Sequence, residues 1–163
     1  MSFFLAIVVS CIVTLMTVPV LAQKKAPPTV GEVAAGSWAW GQDLSYVQNH
    51  FVKAAEEFPE DKYSYRPTEE VRTFAEIIMH VARYNHISAA HAMGRQSEDV
   101  REFAFHSKAE AVTKLKKSFS ELDEVLKQKP DNFPLDVLIH ASEHYGNLVV
   151  YYRLNGLVPP ASR

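Results

Sequence analysis

The chain has 163 residues, 47% of them apolar and 22% charged, which is enough for one compact domain with a proper core and too little for two. Lys and Arg number 17 against 19 Asp and Glu, and the resulting net charge of -2 excludes a general attraction to nucleic acid or to anionic lipid headgroups. The one cysteine, Cys11, falls in an apolar leader, so a processed chain would hold no disulfide, thiolate ligand or cysteine nucleophile and must do any chemistry with histidines, carboxylates or hydroxyls.

Residues Phe3 to Val18 are almost continuously apolar, and Val20-Leu21-Ala22 puts small residues where a signal peptidase reads, just before Gln23. The expectation is a signal peptide over residues 1–22, cleaved after Ala22, and an exported protein, periplasmic or secreted. The alternative is a retained membrane anchor, because only the amino terminus supplies positive charge ahead of the apolar run and the run approaches spanning length. Membrane contact would then be confined to that segment. A lipoprotein signal ending at Cys11 has suitable residues in Val8-Val9-Ser10, but leaves an apolar region too short for export. Residues 23–32 read as a linker, with a polar stretch closing on Pro27-Pro28, and the folded domain is expected over residues 33–160, structure beginning near Thr29.

Four helix-length blocks follow. Trp40, Leu44, Val47, Phe51, Ala55 and Phe58 alternate in steps of four and three, which predicts an amphipathic helix ending before Pro59. The connection from Pro59 to Pro67 carries Tyr63 and Tyr65, suited to covering a bundle end. Thr73 and Glu76 have capping-box spacing and open a second helix whose Phe74, Ile77, Ile78, Val81, Asn85 and Ser88 share one face, with Gly94 as its stop. A second box, Ser107 with Glu110, opens a third helix striped by Val112, Leu115, Phe119, Leu122 and Leu126. Pro130 ends it. Pro134 fits the first turn of a fourth helix running to about Leu154, closed by Gly156 and Pro159-Pro160. Four such stripes bury one another most simply as an all-α four-helix bundle. The long connection Arg95 to His106 either joins antiparallel neighbours or crosses over an end of the bundle.

His140 and His144 project from one face of the fourth helix, one turn apart, with Asn147 and Tyr151 continuing the row. Two imidazoles so placed can share a metal ion, yet 7 histidines in 163 residues give about 0.3 such pairs by chance, so the spacing alone decides nothing. His80, at the border of the second stripe beside Ile77 and Tyr84, could be brought opposite the pair by a bundle. Three neutral imidazoles would fill most of a zinc coordination sphere and leave a position for water or substrate. Against this stands the ordinary reading, in which each is a hydrogen-bonded packing residue at a stripe border. His86 is expected to face away from the second helix's core stripe, His106 lies in a connection, and His50 borders the first stripe as a packing residue or a support to the site.

The string His140-Ala141-Ser142-Glu143-His144-Tyr145-Gly146-Asn147-Leu148, and the following residues to Pro160, resemble the closing helix of the DinB/YfiT-like family. So do Arg66-Pro67-Thr68 and the run Thr73-Phe74-Ala75-Glu76 to His80-Val81-Ala82. The resemblance spans roughly Val33 to Pro160. It implies a four-helix bundle holding a divalent metal, zinc first and nickel second, on one histidine of the second helix and an H-x-x-x-H pair of the fourth, here His80, His140 and His144. The family's H-x-G-Q ending reads His144-Tyr145-Gly146-Asn147 in this chain, which shortens the amide on the metal-facing row by one methylene.

Similar bundles include thiol-dependent transferases, isomerases and proteins described as metal-dependent hydrolases, so the reaction must come from the site. The first expectation is a metal-dependent hydrolase acting on a small molecule, with Glu76, Glu143 and Asn147 as candidate supports around the ligands and no residue assigned as the base. Alternatives are a transferase that uses a metal-bound thiolate, which export would separate from intracellular thiols, and a non-catalytic metal- or ligand-binding bundle. The sequence leaves the oligomeric state open, a homo-oligomer included.

Overall fold

The computed structural model describes residues 30–97 and 106–163, with side chains from Trp40 onward. The expected signal peptide and most of the expected linker lie outside the described residues. Among the described residues four helices, α1 (Val30–Glu57), α2 (Phe74–Ala92), α3 (Lys108–Gln128) and α4 (Asp136–Leu154), are accompanied by short 3₁₀ turns between α1 and α2, between α3 and α4 and after α4, and no strand occurs. The fold is an all-helical bundle, and none of these helices is long and apolar enough to cross a membrane.

Each helix packs against two others, in the cyclic order α1, α3, α2, α4. Pairings along the interfaces set the directions. Tyr84 meets Asp136 while the Tyr151 hydroxyl reaches the Arg72 carbonyl, so α2 and α4 are antiparallel. Asn85 meets Ser118 and the Met93 carbonyl meets Lys129, so α2 and α3 run parallel. The end of α2 therefore lies beside the end of α3, which excludes antiparallel neighbours for this pair; residues 98–105 of the connection lie outside the described residues.

The helix ends are closed as the sequence requires. Thr73 accepts the Glu76 N–H at 3.2 Å and the Glu76 carboxylate accepts the Thr73 N–H at 2.7 Å, a complete capping box. Gly94 and Gly156 take φ of 74° and 72°, a backbone region open chiefly to glycine. There Arg95 N–H returns to Ala90 O at 2.8 Å and Leu157 N–H to Tyr152 O at 2.9 Å, the Schellman closure of α2 and α4. The carbonyls that end α1 are satisfied from elsewhere in the chain: Tyr152 donates to Ala54 O at 2.8 Å, Tyr63 donates to Ala55 O, and Lys108 Nζ donates to Phe58 O at 2.8 Å. Burial pushes the phenols of Tyr63 and Tyr152 well above their usual range, so both remain protonated donors.

The core follows the expected stripes, with Leu44, Phe51, Phe58, Ile78, Val81, Leu115, Phe119, Leu122 and Leu148 fully covered. Phe58 and Phe74 stack face to face at 3.8 Å with Tyr63 and Tyr152 leaning on them, and Tyr65 packs edge-on against Tyr151, so the expected tyrosines of the connection cover this bundle end together with Tyr151 and Tyr152 of α4.

Four local expectations are corrected. Trp40 is 36% exposed, and burial along its stripe begins one turn later, at Leu44. At α3, Ser107 does accept the Glu110 N–H, but the Glu110 carboxylate takes the N–H of His106 instead of that of Ser107, leaving half a box. Pro134 precedes α4 instead of standing in its first turn, and its carbonyl accepts the Val137 N–H at 3.1 Å. His86 does not face away: it is half-buried against α3, with Nδ1 2.7 Å from Glu121 Oε2.

Candidate metal centre

The antiparallel contact of α2 with α4 is pinned at both ends, by Tyr151 on the Arg72 carbonyl and by Tyr84 on Asp136, and the histidines lie between these pins. The capping box starts α2 at a fixed residue, two turns before His80. His140 and His144 stand one turn apart on α4 and point the same way. One ring nitrogen from each of the three lies within 4.8 Å of the other two, and the ring centroids are 4.6 to 4.9 Å apart.

His80 Nε2 and His140 Nε2 are 3.0 Å apart. Two imidazole lone pairs cannot face each other at that distance unless a proton or a cation lies between them. For comparison, two nitrogens bound to one tetrahedral zinc at about 2.1 Å are about 3.4 Å apart. Burial, the largest cause, lowers the pKa of His80 and of His140 to about 4, and lowers that of His144 too, so near neutral pH the rings offer lone pairs instead of positive charge. Three neutral nitrogen donors converging on one point suit a borderline-soft divalent ion such as zinc or nickel. The residues present fit such an ion.

The surroundings hold the rings in place. Tyr84 stacks on His140, centroids 3.9 Å apart and planes 22° from parallel, and donates its hydroxyl to Asp136, one turn before His140. His140 Nδ1 is buried with no hydrogen-bond partner among the described residues. The Asn147 amide approaches His144 Nδ1 at 3.5 Å, and turned over it would present its oxygen to an Nδ1–H. Arg72 contributes a positive charge that lowers the pKa of all three rings.

Glu76, a candidate support by sequence, has its carboxylate on the Thr73 N–H, a bond that holds its pKa below the usual carboxylate range. Glu143 is exposed and acts on His144 through charge alone, opposing the fall of its pKa. His50 packs between Tyr46 and Tyr145 with Nδ1 2.8 Å from the Tyr46 carbonyl, His91 and His106 are exposed, and none of these joins the cluster. Beside the triad a cleft of about 690 Å³ opens between the α1–α2 connection and α4, with His144, Asn147 and Arg72 on its polar side and Val71, Ile77 and Val150 on its apolar side. Sequence reasoning did not single out Arg72, Tyr84 or Asp136 for the site. Asp136 had one available signal, its place four residues before His140 on the same helical row.

Fold and site together define a helical bundle that gathers three imidazoles from two antiparallel helices. A family model described as the DinB superfamily matches residues 43–154, and the chain belongs to that superfamily. No curated protein and no solved structure matches the chain.

Proposed function

We propose that the protein is an exported, divalent-metal-dependent hydrolase of a small molecule, with His80, His140 and His144 as the ligands and zinc as the first choice of metal, nickel the second. The observation that carries this reading is the 3.0 Å approach of His80 Nε2 to His140 Nε2 beside a third imidazole, in a setting that keeps the rings unprotonated. A bound ion would supply Lewis acidity and a water acidified to a pKa of about 7. The chain's own residues hold and orient: Tyr84 fixes the plane of His140, Asn147 faces the second nitrogen of His144, and the cleft offers a mixed polar and apolar wall. Its volume of about 690 Å³ is in the range of small-molecule sites, about 300–1,000 Å³. Export rests on the apolar run Phe3 to Val18 and the small residues before Gln23.

The test is metal analysis of the purified mature chain, followed by ester and amide hydrolysis screens of the zinc- and nickel-loaded protein. One equivalent of metal, lost in His144→Ala with helical content kept, and turnover that follows metal loading are the expected results. A wild-type chain that takes up no metal would reject the ligand assignment. Stoichiometric loading with no turnover of any ester or amide would reject the hydrolase and leave a metal-binding bundle.

A further inference from the structure

We infer that the cleft beside the triad takes a small molecule with a carboxylate at one end and an apolar body, the carboxylate being held by Arg72. This rests on the triad as the reacting centre, and it adds the class of substrate.

Arg72 sits at the last residue before the α2 cap, and its backbone is fixed twice, by the Tyr151 hydroxyl on its carbonyl and by the capping box at Thr73. Its side chain lines the same cleft as His144 and Asn147, is exposed, and makes no ion pair or side-chain hydrogen bond among the described residues. A guanidinium left in this way beside three uncharged rings is a planar fork of donors without an acceptor. Glu70 also lines the cleft, but its carboxylate accepts from Thr68 and from its own backbone amide; the Glu76 carboxylate feels the charge of Arg72, yet its Oε2 is taken by the Thr73 N–H at 2.7 Å, so neither is hydrogen-bonded to the guanidinium. Arg72 and His144 line one cleft of about 690 Å³, a space of small-molecule size, so one ligand can reach both.

The rest of the wall argues for an apolar body. Val71 is 42% exposed and Val150 52% exposed where they line the cleft, and Ile77 and Tyr151 lie beneath them. Apolar surface left bare within a concave site is what a hydrocarbon part of a ligand would cover. One fork-shaped cation suits a carboxylate, which it can bind with two parallel hydrogen bonds.

The experiment measures the binding of four probes of equal chain length, hexanoate, hexanamide, hexylamine and hexyl phosphate, by calorimetry to the full folded chain, with and without one equivalent of zinc. Hexanoate is expected to bind about tenfold tighter than hexanamide in both forms, the size of one charge-assisted pair. Arg72→Gln should abolish that preference while zinc affinity, measured by chelator competition, does not fall, because a positive charge that acts on all three rings has been removed; Arg72→Lys should restore part of the preference. Equal binding of hexanoate and hexanamide, a preference that survives Arg72→Gln, or no measurable binding of any probe would overturn the inference. Tighter binding of hexyl phosphate than of hexanoate would overturn the carboxylate assignment. Zinc loading is read separately, so a wild-type chain that takes up no zinc while keeping the hexanoate preference would reject the metal reading and leave Arg72 as an anion-recognition residue.

Discussion

Tyr84 lies flat on His140, 3.9 Å from ring to ring, and its hydroxyl donates to Asp136 one turn earlier on the helix that carries that histidine. One residue of α2 thus fixes both the plane of an imidazole on α4 and the register of the two helices. Removal of the ring should loosen His140 without touching a metal-facing nitrogen. Tyr84→Ala is expected to lower zinc affinity by about tenfold, within the range seen for groups that orient metal ligands. Tyr84→Phe keeps the stack and should lose less. Chelator competition on the three proteins checks this, and equal affinities would show that the stack does no positioning.

The depressed histidines set a pH dependence for the metal-free protein. In the folded chain His80 and His140 titrate at about 4, whereas in the unfolded chain they should titrate near the ordinary value of 6.5. Between these values the unfolded state binds protons that the folded state refuses, so stability rises with pH across the window and falls on acidification from about 6.5 toward 4. Below that the folded form protonates too and this contribution levels off. Thermal melts in chelator should show Tm dropping over the window. The drop should shrink in a His80→Gln, His140→Gln double variant; an unchanged slope would assign it to other groups.

Much of this was legible in the sequence where the determining residues are neighbours along the chain. The Thr73–Glu76 box, the Gly94 and Gly156 stops and the stripes ending in Phe58 and Leu126 are local patterns with local causes. The His140 and His144 pair follows from helical spacing, while His80 needed the family resemblance, because nothing local says which face of α2 meets α4. What stayed hidden depends on pairings between helices distant in sequence. His86 reads as outward-facing until α3 lies parallel to α2 and brings Glu121 to it. Tyr84 and Arg72 gain their places only when α4 is antiparallel to α2, and Trp40 continues a valid stripe one turn ahead of its first covered residue, Leu44.

The cap at the start of α2 allows a direct test of a local interaction. Thr73→Ala removes the acceptor of the Glu76 N–H and loosens the reciprocal bond, so it should cost about 1 kcal/mol. Thr73→Ser keeps the oxygen and should cost a few tenths at most by the same reasoning about cap residues. Denaturant melts of the two variants check the difference, and a Thr73→Ala protein as stable as wild type would mean that the cap is idle.

At the α2–α3 interface, Asn85 is completely buried, its Nδ2 3.4 Å from Ser118 Oγ and its Oδ1 with no partner among the described residues. Ser118 spends its own proton on the Leu115 carbonyl at 2.8 Å, so its oxygen is what accepts from Asn85. Ser118→Ala would therefore strand the Nδ2 donor as well, at a cost of about 1–3 kcal/mol for an unsatisfied buried donor. Replacing both partners removes the need for the bond. The double variant Asn85→Leu with Ser118→Ala should be close to wild type in stability, or above it, because leucine branches at the same atom as asparagine, its extra bulk is partly offset by the smaller alanine, and the polar desolvation disappears. The parallel α2–α3 pair would then rest on apolar packing alone. Melts of the single and double variants form the test: a double variant less stable than Ser118→Ala would show that the amide contributes packing that leucine cannot replace.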